Sequence, residues 1–307
     1  MTMAVKRPKA GRILRWGAIM LCAAIPAAPP ACAEAPHLPA LVEPASSEHH
    51  PGKIVFVQLV TPDLATAKPF YAGLFGWTFH DGQFGSTLYA DATLENRLVA
   101  GLVQRPLQQN EQRQPLWLGF FSTRDVDATA KAAVQQGGKV LFEPHDIPDL
   151  GREAVLEDPQ GAVFAVLASG SGDPPDYLAG AGEWIWSSLI TPGPDSAAAF
   201  YQTLLGYDVF EAEPDAAHLI VSSDNYARAS VNGMPGKADH GHPHWLNFVR
   251  VADAEAAAAK AVSLGGKVLV KVHPDRDGNM IAVLADPLGA PFGVLEWPES
   301  DSKVIGR

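Results

Sequence analysis

Residues 55 to 77, VFVQLVTPDLATAKPFYAGLFGW, match residues 185 to 207, IWSSLITPGPDSAAAFYQTLLGY, at a constant offset of 130. Residues 117 to 141, WLGFFSTRDVDATAKAAVQQGGKVL, match 245 to 269, WLNFVRVADAEAAAAKAVSLGGKVL, at an offset of 128. DPQGAVFAVLAS (158 to 169) returns at that second offset as DPLGAPFGVLEW (286 to 297). Three blocks in the same order define a tandem duplication, so the fold must be one that a single chain can build twice.

Each block has a readable local structure. VFVQLV and WLGFF are rich in aromatic and β-branched residues and read as strands. Thr61 and Asp63 can accept hydrogen bonds from the free amides that open the following helix. In that helix Leu64, Ala67, Tyr71, Leu74 and Phe75 share one face. Pro69 lies inside it and lacks an amide donor, which predicts a kink or a late start. Gly76 and Gly137-Gly138 suit helix C-caps, and DPQG has the signature of a type I turn. Each copy therefore reads as strand, helix and several strands, twice over. Residues 169–183, SGSGDPPDYLAGAGE, are the punctuation between copies.

The runs T-P-D-x-x-x-A-x-x-F-Y-x-x-x-F-G-W, D-V-D-A-x-x-x-x-A-x-x-x-G-G-K-V and D-P-x-G-A-x-F together resemble the vicinal oxygen chelate superfamily. This is the glyoxalase, bleomycin-resistance and extradiol-dioxygenase group, and its tandem-domain, hydroxylase-like members are the most similar. The resemblance implies an α+β chain of two tandem domains, 52–168 and 184–298, each made of two paired βαβββ modules around an open, curved-sheet cleft. In metal-using members that cleft holds a divalent ion on His, Gln or Glu side chains.

Carried over by motif, those ligand positions fall on Phe56, Leu118 and Ala165 in the first copy, and on Trp186, Leu246 and Gly293 in the second. None of these six side chains can donate to Mg, Mn, Fe or Zn. No metal or other cofactor is therefore expected. Strand alternation places Gln58 and Val60 beside Phe56, Ser188 and Ile190 beside Trp186, and Phe120 beside Leu118. It also places Val163 and Leu167 beside Ala165. An aromatic-lined apolar cleft with a few hydrogen-bonding groups is the composition of a small-molecule site. Its candidate ligand-binding residues are Phe56, Gln58, Leu118, Phe120, Ala165, Trp186, Ser188, Leu246 and Gly293.

Histidines supply the other metal candidates. His240, His242 and His244 alternate in a loop that has no histidine-bearing counterpart in the first copy, and His49-His50 precede the first domain. His145 and His273 occupy equivalent positions, near Asp146 and Asp275, and form the fallback set if a metal is present. The sequence contains no G-x-S-x-G, no usable Cys–His pair and no phosphate loop. Gln58 and Glu153 remain polar groups without an assigned role.

The ends of the chain predict export. Lys6, Arg7, Lys9, Arg12 and Arg15 precede an apolar run from Trp16 to Ile25, and then Ala31-Cys32-Ala33. That is the pattern of a secretory signal over residues 1–33, with an apolar core too short to span a membrane. Both cysteines, Cys22 and Cys32, lie within it, so cleavage after Ala33 leaves no disulfide. A lipoprotein anchored through Cys32 is the less favoured alternative, because Pro29 stands where such signals carry an aliphatic residue. Residues 34–51 form a Pro/Ala/Ser-rich tether and 299–307 a tail. The formal charge of −11 becomes more negative once the leader's five cations are removed. Without a basic stripe, nucleic acid is not an expected partner. Nor is membrane insertion of the mature chain expected.

These features predict an exported, metal-independent binding protein for a small, partly aromatic or apolar molecule. The alternatives are a metal-dependent lyase or dioxygenase with displaced ligands, and a structural or partner-binding duplication. Two domains in one chain can satisfy the family's domain pairing internally, which is compatible with a monomer.

Overall fold

A computed structural model describes residues 39–106, 114–212, 218–234 and 242–297. The predicted leader, the first residues of the tether, His240 and the tail lie outside the described residues. The first copy runs β1 (Ile54–Thr61), α1 (Leu64–Phe75), β2 (Thr78–Phe84), β3 (Thr87–Leu94), β4 (Arg97–Gln104), then β5 (Leu116–Ser122), α2 (Val126–Gln135), β6 (Lys139–Ile147), β7 (Gly151–Glu157) and β8 (Val163–Ser169). The second repeats it as β9 (Trp184–Thr191), α3 (Pro194–Leu205), β10 (Asp208–Glu211), β11 (His218–Ser223), β12 (Tyr226–Gly233), then β13 (His244–Val251), α4 (Ala254–Ser263), β14 (Lys267–Pro274), β15 (Met280–Ala285) and β16 (Pro291–Glu296). Each copy is thus two βαβββ modules and forms one eight-stranded sheet. The strand orders are β2-β3-β4-β1-β5-β8-β7-β6 and β10-β11-β12-β9-β13-β16-β15-β14. The modules meet along the antiparallel pairs β1–β5 and β9–β13.

Local chemistry explains the element ends. Asp63 caps α1 by accepting from the Ala65 amide at 2.9 Å. Thr61, the other expected acceptor, is buried and its hydroxyl has no hydrogen-bond partner; Gln104 Oε1 accepts from the Leu64 amide at 3.2 Å instead. The helix starts at Leu64 and runs through Pro69, so there is no late start. Gly76 ends it in the left-handed region at φ 77°, its amide on the Ala72 carbonyl. In the DPQG turn the Asp158 carboxylate accepts from the amides of Gln160, Gly161 and Ala162 at 2.8–2.9 Å. Asp286 accepts from Leu288 and Ala290 in the same way.

Neither copy owns its core. One apolar cluster combines α1 and β1, β3 and β4 of the first copy with α4, β15 and β16 of the second. The other combines α2, β7 and β8 with α3, β9, β11 and β12. The first module of each copy therefore buries its apolar face against the second module of the other, within one compact unit.

Reciprocal hydrogen bonds fix that exchange. Trp77 Nε1 donates to the Gly182 carbonyl at 2.8 Å, just before β9. At the equivalent place Tyr207 donates to the carbonyl of Gly52, just before β1. The segments between and before the copies are fastened too. Ser46 N donates to Ser171 O at 2.8 Å, and His50 N and Ser122 Oγ donate to the fully buried Asp173 carboxylate. Asp176 joins Lys53 of the first copy (2.8 Å) to Arg228 of the second (2.5 Å). The described part of the expected tether therefore lies against the inter-copy linker, and that linker buries Ser171 and Asp173.

Candidate functional site

The face of each sheet turned away from the shared cores carries the positions where the family's metal ligands stand. On β1, Val57 and Leu59 enter the shared core, so Phe56, Gln58 and Val60 point the other way. Register then lays the first copy's candidates side by side: Phe56 opposite Phe120, Phe120 opposite Ala165, and Gln58 opposite Leu118. In the second copy Trp186 lies opposite Phe248, Phe248 opposite Gly293, and Ser188 opposite Leu246. All nine candidate residues lie on these two faces.

On each of these faces, where the cleft is expected, the chain packs its own side chains. Phe56, Leu118, Phe120 and Ala165 are buried with Leu150 and Leu167, and Leu41 from the preceding segment packs over them. The Phe56 and Phe120 rings are 5.4 Å apart and tilted. Phe56 lies over Gly101, where a Cβ would come within 2.6 Å of the ring. In the second copy Phe248 covers Gly293, where a Cβ would come within 2.1 Å. Leu246, Phe248 and Leu295 are buried there beside Trp186 and Trp297.

Polar groups on the two faces differ. In the second cleft Ser188 and Ser230 share a hydrogen bond at 2.7 Å. Ser230 also accepts from Trp186 Nε1 at 3.2 Å and from Asn232 Nδ2 at 3.0 Å. His218 Nδ1 meets Asn232 Oδ1 at 2.5 Å, which completes a neutral chain. On the first face Gln58 lies beside Leu118 and Gly101, and the buried Asp91 stands across Gly101 on the next strand. Glu153 faces the same cleft from β7, because Ala154 and Leu156 enter the shared core and Val155 the cleft cluster. Its Oε1 is 3.4 Å from His145 Nε2. Burial, the leading influence, raises the Glu153 carboxyl above the usual range, against the pull of His145 and Arg105.

The fallback metal set does not assemble. Asp146 follows His145 on the same strand and pairs with Arg152 at 3.0 Å, while His145 meets Glu153. Asp275 is spent on the amides of Asp277 and Asn279, and His273 Nδ1 meets the Lys271 carbonyl. His244 Nδ1 meets the His242 carbonyl at 2.8 Å. His49 and His50 approach two different acids, Asp173 at 3.8 Å and Asp224 at 3.4 Å. Among the described residues no three His, Cys, Asp or Glu side chains are grouped to hold a metal ion. The residues at the family's ligand positions do not fit a divalent cation, since hydrocarbon, aromatic ring or hydrogen stands at all six. Glu153 has no motif to announce it; strand parity counted from Ala165 across β7 is the signal that finds it. No described helix is long and apolar enough to cross a membrane.

Comparison with known proteins bears on this geometry. The sequence pattern of the Glyoxalase/Bleomycin resistance protein/Dioxygenase superfamily matches residues 53–166, and that of a glyoxalase-like domain matches residues 187–295. The chain is 34% identical over 265 residues to CFP32 of Mycobacterium tuberculosis, provisionally named a glyoxylase, covering 82% of this chain and 98% of that protein. It is 32% identical over 276 residues to the anthracycline biosynthesis protein DnrV of Streptomyces peucetius, covering 83% and 97%. Among solved structures, the Mn(II)-bound glyoxalase of Novosphingobium aromaticivorans superposes with a TM-score of 0.56 at 18% identity, covering 81% of this chain and 83% of that one. The 2,3-dioxygenase LapB of Pseudomonas sp. KL28 gives 0.53 at 14% identity, covering 83% and 96%. With both copies matched, and relatives aligned along most of its length, this chain is a tandem-domain member of the glyoxalase/bleomycin resistance protein/dioxygenase superfamily.

Proposed function

We propose that the protein binds a small, partly aromatic molecule on the concave faces of its sheets and does so without a resident metal. The observation that carries this reading is the content of the six ligand positions. Phe56, Leu118, Ala165, Trp186, Leu246 and Gly293 offer rings, hydrocarbon and one bare backbone, with the Gln58 amide among them. Such a surface gains by covering an apolar ring and can orient it with one hydrogen bond. An aromatic ligand also agrees with the naming of DnrV for anthracycline biosynthesis, since anthracyclines are fused aromatic molecules. Phe56 and Phe248 stand over glycines, and an incoming ring would stack on them or displace them.

The test is metal content per chain, by elemental analysis of mature protein purified without a histidine tag, followed by calorimetric titration with naphthalene. Substoichiometric metal and saturable binding are expected. About one equivalent of a single transition metal, or no binding, overturns the reading. We further propose that the protein is exported. N-terminal sequencing of the mature chain is expected to start at Glu34, and a lipid-modified start at Cys32 would replace free export with anchoring.

A further inference from the structure

Among the positions at which the two faces differ is the one opposite a histidine that both copies carry. On β7, Glu153 lies opposite Leu167 of β8 and opposite His145 of β6. In the second copy His273 lies opposite Ile281. Both copies keep the histidine, and only the first supplies a carboxylate.

The hydrogen bonds of His145 determine how many protons this pair carries. Its Nδ1 is 2.9 Å from the Glu143 carbonyl oxygen. A carbonyl only accepts, so Nδ1 carries a hydrogen. A neutral ring in that tautomer has a lone pair on Nε2, which lies 3.4 Å from Glu153 Oε1, an ion-pair distance rather than a hydrogen bond. Two lone pairs repel, so the contact is favourable only when one proton lies on His145 or on Glu153. His273 makes the same bond, to the Lys271 carbonyl at 2.9 Å, with hydrocarbon opposite. The Glu153 side chain is 13% exposed and that of His145 43%, so the histidine is the more solvent-accessible partner.

We propose that His145 and Glu153 form an ion pair, which makes the first cleft a site for a hydroxylated aromatic molecule whose O–H donates to the Glu153 carboxylate. This rests on the cleft reading above and names its ligand class. A phenol or enol hydroxyl brings the proton that the carboxylate accepts as a hydrogen bond, while a proton on His145 Nε2 balances the carboxylate charge. No bond is broken. The second cleft, with Ile281 at that register and a neutral Ser188–Ser230–Asn232 chain, lacks this anchor.

The experiment is calorimetric titration of the full mature chain with 1-naphthol and with naphthalene. The wild type is expected to bind 1-naphthol about tenfold more tightly at one site, the effect of one hydrogen bond to a charged group. Glu153→Ile, which copies the second cleft, is expected to remove the preference, and Glu153→Gln to remove most of it. Ile281→Glu, placed opposite His273, is expected to raise the number of 1-naphthol-selective sites from one to two. Equal affinity for the two probes in the wild type overturns the proposal, as does a preference that survives in both Glu153 variants. Naphthalene binding without hydroxyl preference leaves the cleft reading intact and removes only the acid–base pair. Failure of both probes removes both readings.

Discussion

The Tyr71 hydroxyl, on the first helix of the first copy, donates to Asp286 Oδ2 in the last turn of the second copy at 3.2 Å. Tyr201 does the same to Asp158 at the same distance, in the opposite direction. Each hydroxyl also accepts from an indole, Trp117 Nε1 at 2.8 Å and Trp245 Nε1 at 2.9 Å. The F-Y pair and the D-P-x-G turn, two signatures that look independent in the sequence, are thus the two halves of one contact made between copies.

Replacing Tyr71 with Phe strands Trp117 Nε1 and Asp286 Oδ2 in a dry interior. The cost expected is about 2–3 kcal/mol, with a similar loss for Tyr201→Phe. Equilibrium urea unfolding followed by tryptophan fluorescence and circular dichroism should show one coincident transition, because the cores are shared. Separate transitions for the two signals would contradict the shared cores.

Asp158 and Asp286 carry a pH signature. Burial, the largest influence, raises both carboxyls above the usual range, against the turn amides and the tyrosine hydroxyls that hold the charge. The folded chain therefore keeps these protons at pH values where the unfolded chain has lost them. Their contribution is fully present below the unfolded value and is lost as pH rises through the folded one. Asp286→Asn retains an oxygen for the turn amides. Its melting temperature relative to wild type is expected to climb as pH rises above the ordinary carboxylate range. A difference that stays constant with pH would remove this account.

Asp176 behaves in the opposite sense. Burial works to raise its carboxyl, but hydrogen bonds and charge from Arg228 and Lys53 outweigh that and hold it below the usual range. Its contribution is present above the unfolded value and lost as pH falls through the folded one. Asp176→Asn should cost about 3 kcal/mol at neutral pH by removing the carboxylate that two largely buried cations share, leaving Lys53 the Pro174 carbonyl and Arg228 the more distant Asp224, and the deficit should shrink in acid. Denaturant midpoints measured at neutral and acid pH decide this.

At Gly293 an added methyl would collide with the Phe248 ring. Gly293→Ala is expected to cost about 1–3 kcal/mol and to shift the ring, seen as a change in Trp186 fluorescence. Unchanged stability and emission would show that the ring moves freely over the strand.

Much of this was legible in the sequence. The two-residue period of strands puts Gln58 beside Phe56 and Ser188 beside Trp186, while the family resemblance supplies Leu118 and Ala165 and the repeat carries them to Leu246 and Gly293. The fold was therefore legible through the resemblance and the repeat together. The exchange of cores was not, because Tyr71 and Asp286 are 215 positions apart and either copy could have packed on itself. The fastening of residues 39–51 was equally hidden: its composition suggests a free tether, while Asp173, buried far along the chain, holds it down. Glu153 lay in view without a motif, and only the pairing of β6 with β7 brings it to His145.

Two identical subunits joined by an isologous contact would express every substitution in both sites at once. Fusion of the copies into one polypeptide lifts that obligation while the Tyr–Asp contacts keep the pseudo-twofold frame. Glu153 opposite His145, against Ile281 opposite His273, is a difference that such a symmetric dimer could not encode. Duplication in this chain thus supplies one shared frame whose two outer sheet faces can vary separately.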